Sequence, residues 1–255
     1  MKVIVVYPVA AFVVAIVTMS LAAWIGATRL RALRSEVAQQ REDFAVIQGA
    51  TLTLLGLIIG FTFLMALDRY EQRKLYEEEE ANAIGTEYAR ADLLPAAAAA
   101  RVRQLLRDYV DQRILYYRTR DEKRLAEINE NTARLQGQLW SAVTAPAVAQ
   151  PSPLMALAVA GMNDVLNSQG YTQAAWWNRI PFSAWLMMGA IAVCAMMLVG
   201  VGSKHPTGLS QLMLVLPLII SLAFFLIADI DSPRRGIIRV VPQNLLSLAE
   251  SIRAP

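Results

Sequence analysis

Residues 45–67 read AVIQGATLTLLGLIIGFTFLMAL, without one charged side chain, and run directly into DRYEQRKLYEEEE at 68–80. A helix rises about 1.5 Å per residue, so about 20 apolar residues cross the roughly 30 Å hydrocarbon core of a bilayer. This stretch is long enough to do so. Three further charge-free runs, 3–28, 180–203 and 207–228, meet the same requirement. Buried helices of a water-soluble domain would be shorter and would carry charge on one face. The composition agrees: 56% of residues are hydrophobic, 18% are charged and the mean hydropathy is +0.39.

The expected fold is therefore an all-α membrane protein. It has four transmembrane helices and a helical soluble region inserted between the second and third. The boundaries follow the charges: 1–67 holds spans one and two, 68–179 the soluble region, 180–229 spans three and four, and 230–255 a C-terminal segment. The first run exceeds the 7–15 residue apolar core of a secretory signal, so it is expected to remain as a span.

An even number of spans places both termini and residues 68–179 on one side. Lysines and arginines near the membrane favour the cytoplasm for that side: Lys2, Arg69, Arg73, Lys74, Arg179, Arg234, Arg235 and Arg239 against Arg29, Arg31, Arg34, Arg41 and Lys204. For a bacterial chain this means the inner membrane.

Within 68–179, 14 basic residues face 15 acidic ones. That balance lacks the one-signed patch a nucleic-acid partner requires. The second span has no stop signal before Pro95, which predicts one long helix leaving the bilayer. Val102, Leu105, Leu106, Tyr109, Val110 and Tyr117 then recur at helical spacing and predict an amphipathic helix packed back on it. APAVAQPSP (145–153) reads as a break. A helix over 154–167 then leads through Gly170 to Trp176 and Trp177, placed as an interfacial aromatic belt before span three.

One cysteine, Cys194, and one histidine, His205, give no disulfide and no zinc site of the usual kind. No cofactor or metal is expected. A membrane enzyme would need a paired nucleophile and base within the spans, and none is present.

The candidate functional residues lie in the second span. Gly49, Thr53, Gly56 and Gly60 share one face and predict close helix packing. Gln48, Thr51, Leu55, Ile58 and Thr62 form another stripe, polar at its ends and aliphatic between. Around an oligomer axis that stripe would read as a pore wall with a constriction at Leu55 and Ile58. The alternative is that Thr51 and Thr62 bond to their own helix and the face packs.

Charges gather where the spans end: Asp68 and Arg69 after span two, Asp229, Asp231, Arg234 and Arg235 after span four. They are expected to pair, Asp68 with Arg234 or Arg235 and Arg69 with Asp229 or Asp231. A divalent cation held by Asp229, Asp231 and the glutamates 77–80 is the competing reading, disfavoured by the arginines nearby. The acidic run itself reads as a solvated helix face.

The blocks GFTFLMALDRYEQRK (60–74), EEANAIGTEYARADLLP (79–95) and ADIDSPRRGIIRV (228–240) resemble those of a bacterial membrane family described as bestrophin-like. Bestrophins proper are more remotely similar, through the span arrangement and the Asp229, Asp231, Pro233, Gly236 pattern. Those proteins are pentameric ion channels whose second helices line the pore around an apolar neck. The resemblance implies a homo-oligomer in the lipid bilayer, passing small inorganic ions, with a neck among Leu55, Ile58, Ile59 and Phe63. With only two carboxylates before two arginines after the last span, calcium gating is not expected. The rival reading is a non-conducting membrane scaffold or signalling protein that binds a soluble partner through its central helices.

Overall fold

In the computed structural model, residues 7–30, 41–203 and 214–254 are described, and among them every regular element is helical. The helices are α1 Pro8–Thr28, α2 Arg41–Arg90, α3 Ala96–Arg118, α4 Glu122–Ala149, α5 Pro153–Trp177, α6 Phe182–Val201, α7 Val215–Asp231 and α8 Gln243–Ser251. A single 3-10 turn, Ala91–Leu93, follows α2. Three helical stretches are long and apolar enough to cross a membrane: Pro8–Thr28, Arg41–Leu93 and Pro153–Val201. In the second of these the charge-free part is 45–67, and in the third it lies in α6. Of the fourth expected span, 207–213 lies outside the described residues and most of the remainder falls in the 17-residue α7. Lys2, Arg31, Arg34, Lys204 and His205 are also outside them.

The chain divides into two compact units, one comprising residues up to Asp68 with Arg179–Ile238, the other Arg69–Asn178 with the residues from Arg239 on. In the first, α1 packs along α6 and α7. Two glycines permit this approach. A Cβ on Gly26 would overlap the Met197 carbonyl oxygen, and one on Gly200 would overlap the carbonyl of Ala23. Ala22, Ala23 and Ala27 of α1 and Ala192, Ala195 and Met196 of α6 are likewise buried. Small residues let two backbones meet where lipid offers no hydrophobic drive to association.

In the second unit α3 packs on α4, α4 on α5, and α8 on α3. Its core combines Ile84 and Ala91 with Val102, Leu106, Tyr109, Leu139, Met162, Val165 and Leu245. Caps set the helix starts. Asp121 accepts the Lys123 amide at 3.0 Å to begin α4. Ser152 accepts the Met155 amide at 3.1 Å, with Pro153 in the first turn of α5.

Three local expectations change. The break at 145–153 is narrower than its prolines suggest, because α4 continues through Pro146, whose carbonyl accepts the Gln150 amide at 2.9 Å. Gly170 does not end a helix. It lies inside α5, since a mid-helix glycine costs only about 1 kcal/mol and packing outweighs it. Trp176 is core rather than belt: it is 5% exposed and meets Tyr116 and Tyr117 edge-on at 5.2 and 5.4 Å. Trp177 is exposed.

Candidate functional site

The membrane part of α2 shows two opposite faces. Leu55 and Thr62, seven residues apart, are 2% and 4% exposed, and Ala66 continues their row. Gln48, Thr51, Ile58, Ile59 and Phe63 are half-buried beside that row. Of the stripe read from the sequence as a pore wall, Leu55 and Thr62 are thus buried and the other residues half-buried. Thr51 donates its hydroxyl to the Ile47 carbonyl and Thr62 to that of Ile58, both at 2.8 Å, so both hydroxyls are satisfied within their own helix.

The opposite arc is open. Leu57 is 53% and Phe61 59% exposed, with Val46, Thr53 and Leu64 also exposed on the same side. Gly49, Gly56 and Gly60 lie on this side, and a Cβ on any of them meets nothing within 4 Å among the described residues. Close packing at these glycines, if it occurs, is therefore with something other than this chain's described residues. Inside the chain, the close approach is made by Gly26 and Gly200.

After α7 the signature block builds a tight turn. The Asp229 carboxylate accepts the amides of Ile237 and Ile238 at 2.7 and 2.8 Å. Gly236 donates its amide to the Ser232 carbonyl at 3.1 Å. It must be glycine because a Cβ would overlap the Asp229 carbonyl oxygen. Asp231 accepts the Ile180 amide at 3.1 Å. Both carboxylates are 2% exposed. Their acceptors are turned to backbone donors, an arrangement that holds the turn and the start of α6 in place. Arg235 lies over the Tyr7 ring at 4.2 Å.

In the second unit, Arg69 donates to the Asn178 side chain at 3.4 Å, and buried Arg73 donates to the carbonyls of Ala175 and Asn178 at 3.2 Å. The acidic run splits by helical phase: Glu78 and Glu79 are exposed, while Glu77 and Glu80 are buried. Glu77 accepts the Leu245 amide at 2.9 Å and the Asn244 side chain at 2.7 Å, so it caps α8, which has no side-chain cap of its own. Burial raises the Glu77 pKa, opposed by those bonds.

Glu80, fully buried, receives Arg113 in an ion pair, Thr172 at 3.1 Å and the Tyr117 hydroxyl at 3.4 Å. Burial works against the Arg113 charge, but Glu80 outweighs it and the arginine pKa rises. Burial also raises the phenols of Tyr109 and Tyr117, keeping them protonated. These side chains form a buried polar core. Among the described residues no group of three or more His, Cys, Asp or Glu could hold a metal ion.

Reading the acidic run 77–80 as a solvated face missed this core. The available signal was phase: Arg73, Glu77, Glu80 and Glu87 lie at three-, four- and seven-residue steps on the row that carries Ile84 and Ala91.

Residues 13–245 match the family model described as Bestrophin-like domain. The chain belongs to the Bestrophin-like family. It is an integral membrane protein with an all-helical fold. That fold is similar to a bacterial Bestrophin homolog from Klebsiella pneumoniae whose structure was phased on zinc, with TM-score 0.60, 16% identity, and coverage of 97% of this chain and 99% of that one. A tryptophan-to-alanine variant of the same homolog is similar at TM-score 0.64 and 14% identity, covering 96% and 94%. At such identities the Bestrophin-like likeness is one of fold. No curated protein matches the chain.

Proposed function

We propose that this Bestrophin-like protein is one subunit of a homo-oligomeric ion channel, a pentamer in the simplest case, with α2 lining the pore. The reading includes four spans, with 68–179 and both termini on the cytoplasmic side of a bacterial inner membrane. The observation that carries it is the open arc of α2. In a span of a family related to bestrophins, a continuous exposed row of glycines and large apolar groups offers itself to an axis shared with other copies. On this geometry the wall falls to Thr53, Leu57, Phe61 and Leu64, with Leu57 and Phe61 as the apolar constriction that gates by excluding water. Leu55 and Thr62, buried within one chain, support that wall from behind.

The test is ion flux into liposomes by purified, reconstituted protein. Flux that rises in Leu57→Ala and Phe61→Ala supports the reading. Flux indifferent to both removes α2 from the pore, and no flux from assembled, inserted protein removes the channel. A scaffold would be left in the last case. For it, the apolar cleft between α4 and α5, about 570 Å³ and lined by Trp140, Val148, Met155 and Val159, is the surface that would receive a partner.

A further inference from the structure

Glu87 lies in the water-side stretch of α2, twenty residues beyond the last apolar residue of the span, and differs from its neighbours in the same row. Glu77 caps α8 and Glu80 is paired with Arg113, but both carboxylate oxygens of Glu87 are buried without a hydrogen-bond partner among the described residues. The side chain is 0% exposed. It is pressed against the backbone of α5 at Gly161, where a Cβ would overlap Glu87 Oε2 and Arg90 Nη1 alike. A carboxylate so buried and without a hydrogen bond is costly to ionise, and burial outweighs the nearby Arg90 in favouring the protonated acid.

We propose that Glu87 is a proton switch within the second unit, held as the neutral acid when α2 and α5 are closed at Gly161 and loosening that seam when it ionises. The charged groups acting on it are Arg90 from α2 and Asp164 from α5. Burial raises its pKa to about 8, with Arg90 opposing and Asp164 adding to the rise. The direction of the pH effect follows. In the unfolded chain Glu87 ionises near its ordinary value of 4.5, so the folded state holds an extra proton between that pH and about 8. The stabilisation is full below the lower value and is lost as pH rises through the upper one. The window overlaps physiological pH, so a modest change in proton concentration alters the closed population.

Thermal unfolding of the full-length protein in detergent, followed from pH 6 to pH 9, tests this. The parent should lose stability progressively up to about pH 8 and level off above it, and Glu87→Gln, which keeps the shape without the charge, should remove that slope. A pH profile for Glu87→Gln that superimposes on the parent's overturns the proposal. Should this variant fail to fold, Asp164→Asn serves instead. Removing the like charge must bring the levelling-off to lower pH, and an unmoved levelling-off likewise overturns it. Neither readout depends on ion flux, so the proposal stands or falls apart from the channel reading.

Discussion

Residues 45–67 and 69–90 belong to one helix and bury opposite chemistry. The first stretch turns its glycines and large apolar groups outward and hides Leu55, Thr62 and Ala66. The second turns Arg73, Glu77, Glu80 and Glu87 inward and leaves Glu78 and Glu79 outside. The rule that polar groups face out misleads in both, for different reasons. In a bilayer an exposed leucine meets a solvent as apolar as itself, so exposure carries no penalty and helix contact is decided by fit. In water a charge is hidden only if another group compensates it, and each buried member of the second row except Glu87 has hydrogen-bond partners that do so.

The sharpest way to break this contrast is in the charged stretch. Arg113→Ala leaves Glu80 charged and buried, a loss of about 3–5 kcal/mol, and the second unit should unfold far below the parent in circular-dichroism melts. An unchanged melt would mean that Glu80 reaches water. In the membrane stretch, Leu55→Ala and Leu57→Ala should separate. The former removes buried packing, about 2 kcal/mol at the low end for such truncations, and should lower stability while leaving ion flux per assembled channel near the parent's. The latter should do the reverse. Equal effects at the two positions would erase the distinction between the faces.

Glycines allow a finer comparison. Gly200→Ala forces a methyl into the Ala23 carbonyl and should cost about 1–3 kcal/mol as overpacking. Gly56→Ala should leave the melt of the isolated subunit unchanged, and Gly56→Leu should act on oligomer size in gel filtration alone. Similar melts for Gly200→Ala and Gly56→Ala would show that α1 and α6 do not meet as closely as described. The smallest effect is expected for Glu77→Ala. Loss of the α8 cap costs about 1 kcal/mol, and hydrogen exchange of the Asn244 and Leu245 amides should accelerate before global stability changes.

Much of the fold was legible because hydropathy and helical spacing are local signals. The charge-free runs, the long α2 ending near Pro95 and the amphipathic α3 follow from the chain's own periodicity. The contact partners of each face were not legible. GxxxG at Gly56 and Gly60 is a stronger pattern than the lone Gly26 or Gly200, yet among the described residues only the latter two of these meet backbone. Their own signal was the run of small neighbours, Ala22, Ala23 and Ala27 beside Gly26 and Ala192 and Ala195 before Gly200. The carboxylates after α7 were expected to pair with arginines, and that Asp229 takes two amides of a turn eight and nine residues on was not foreseen. Nothing in residue type distinguishes a carboxylate that will bind backbone from one that will bind a cation. The presence of Gly236 at the right distance was the nearest hint.

The open arc of α2 also bears on how such a protein is made. A water-soluble subunit with so large an apolar face would aggregate or need a chaperone until its partners arrived. Lipid covers the same face at no cost, so a newly inserted chain can fold to completion alone and diffuse in the plane of the membrane. For the proposed oligomer, assembly would then be a second, concentration-dependent step, set by how many copies share a membrane rather than by how fast each one folds.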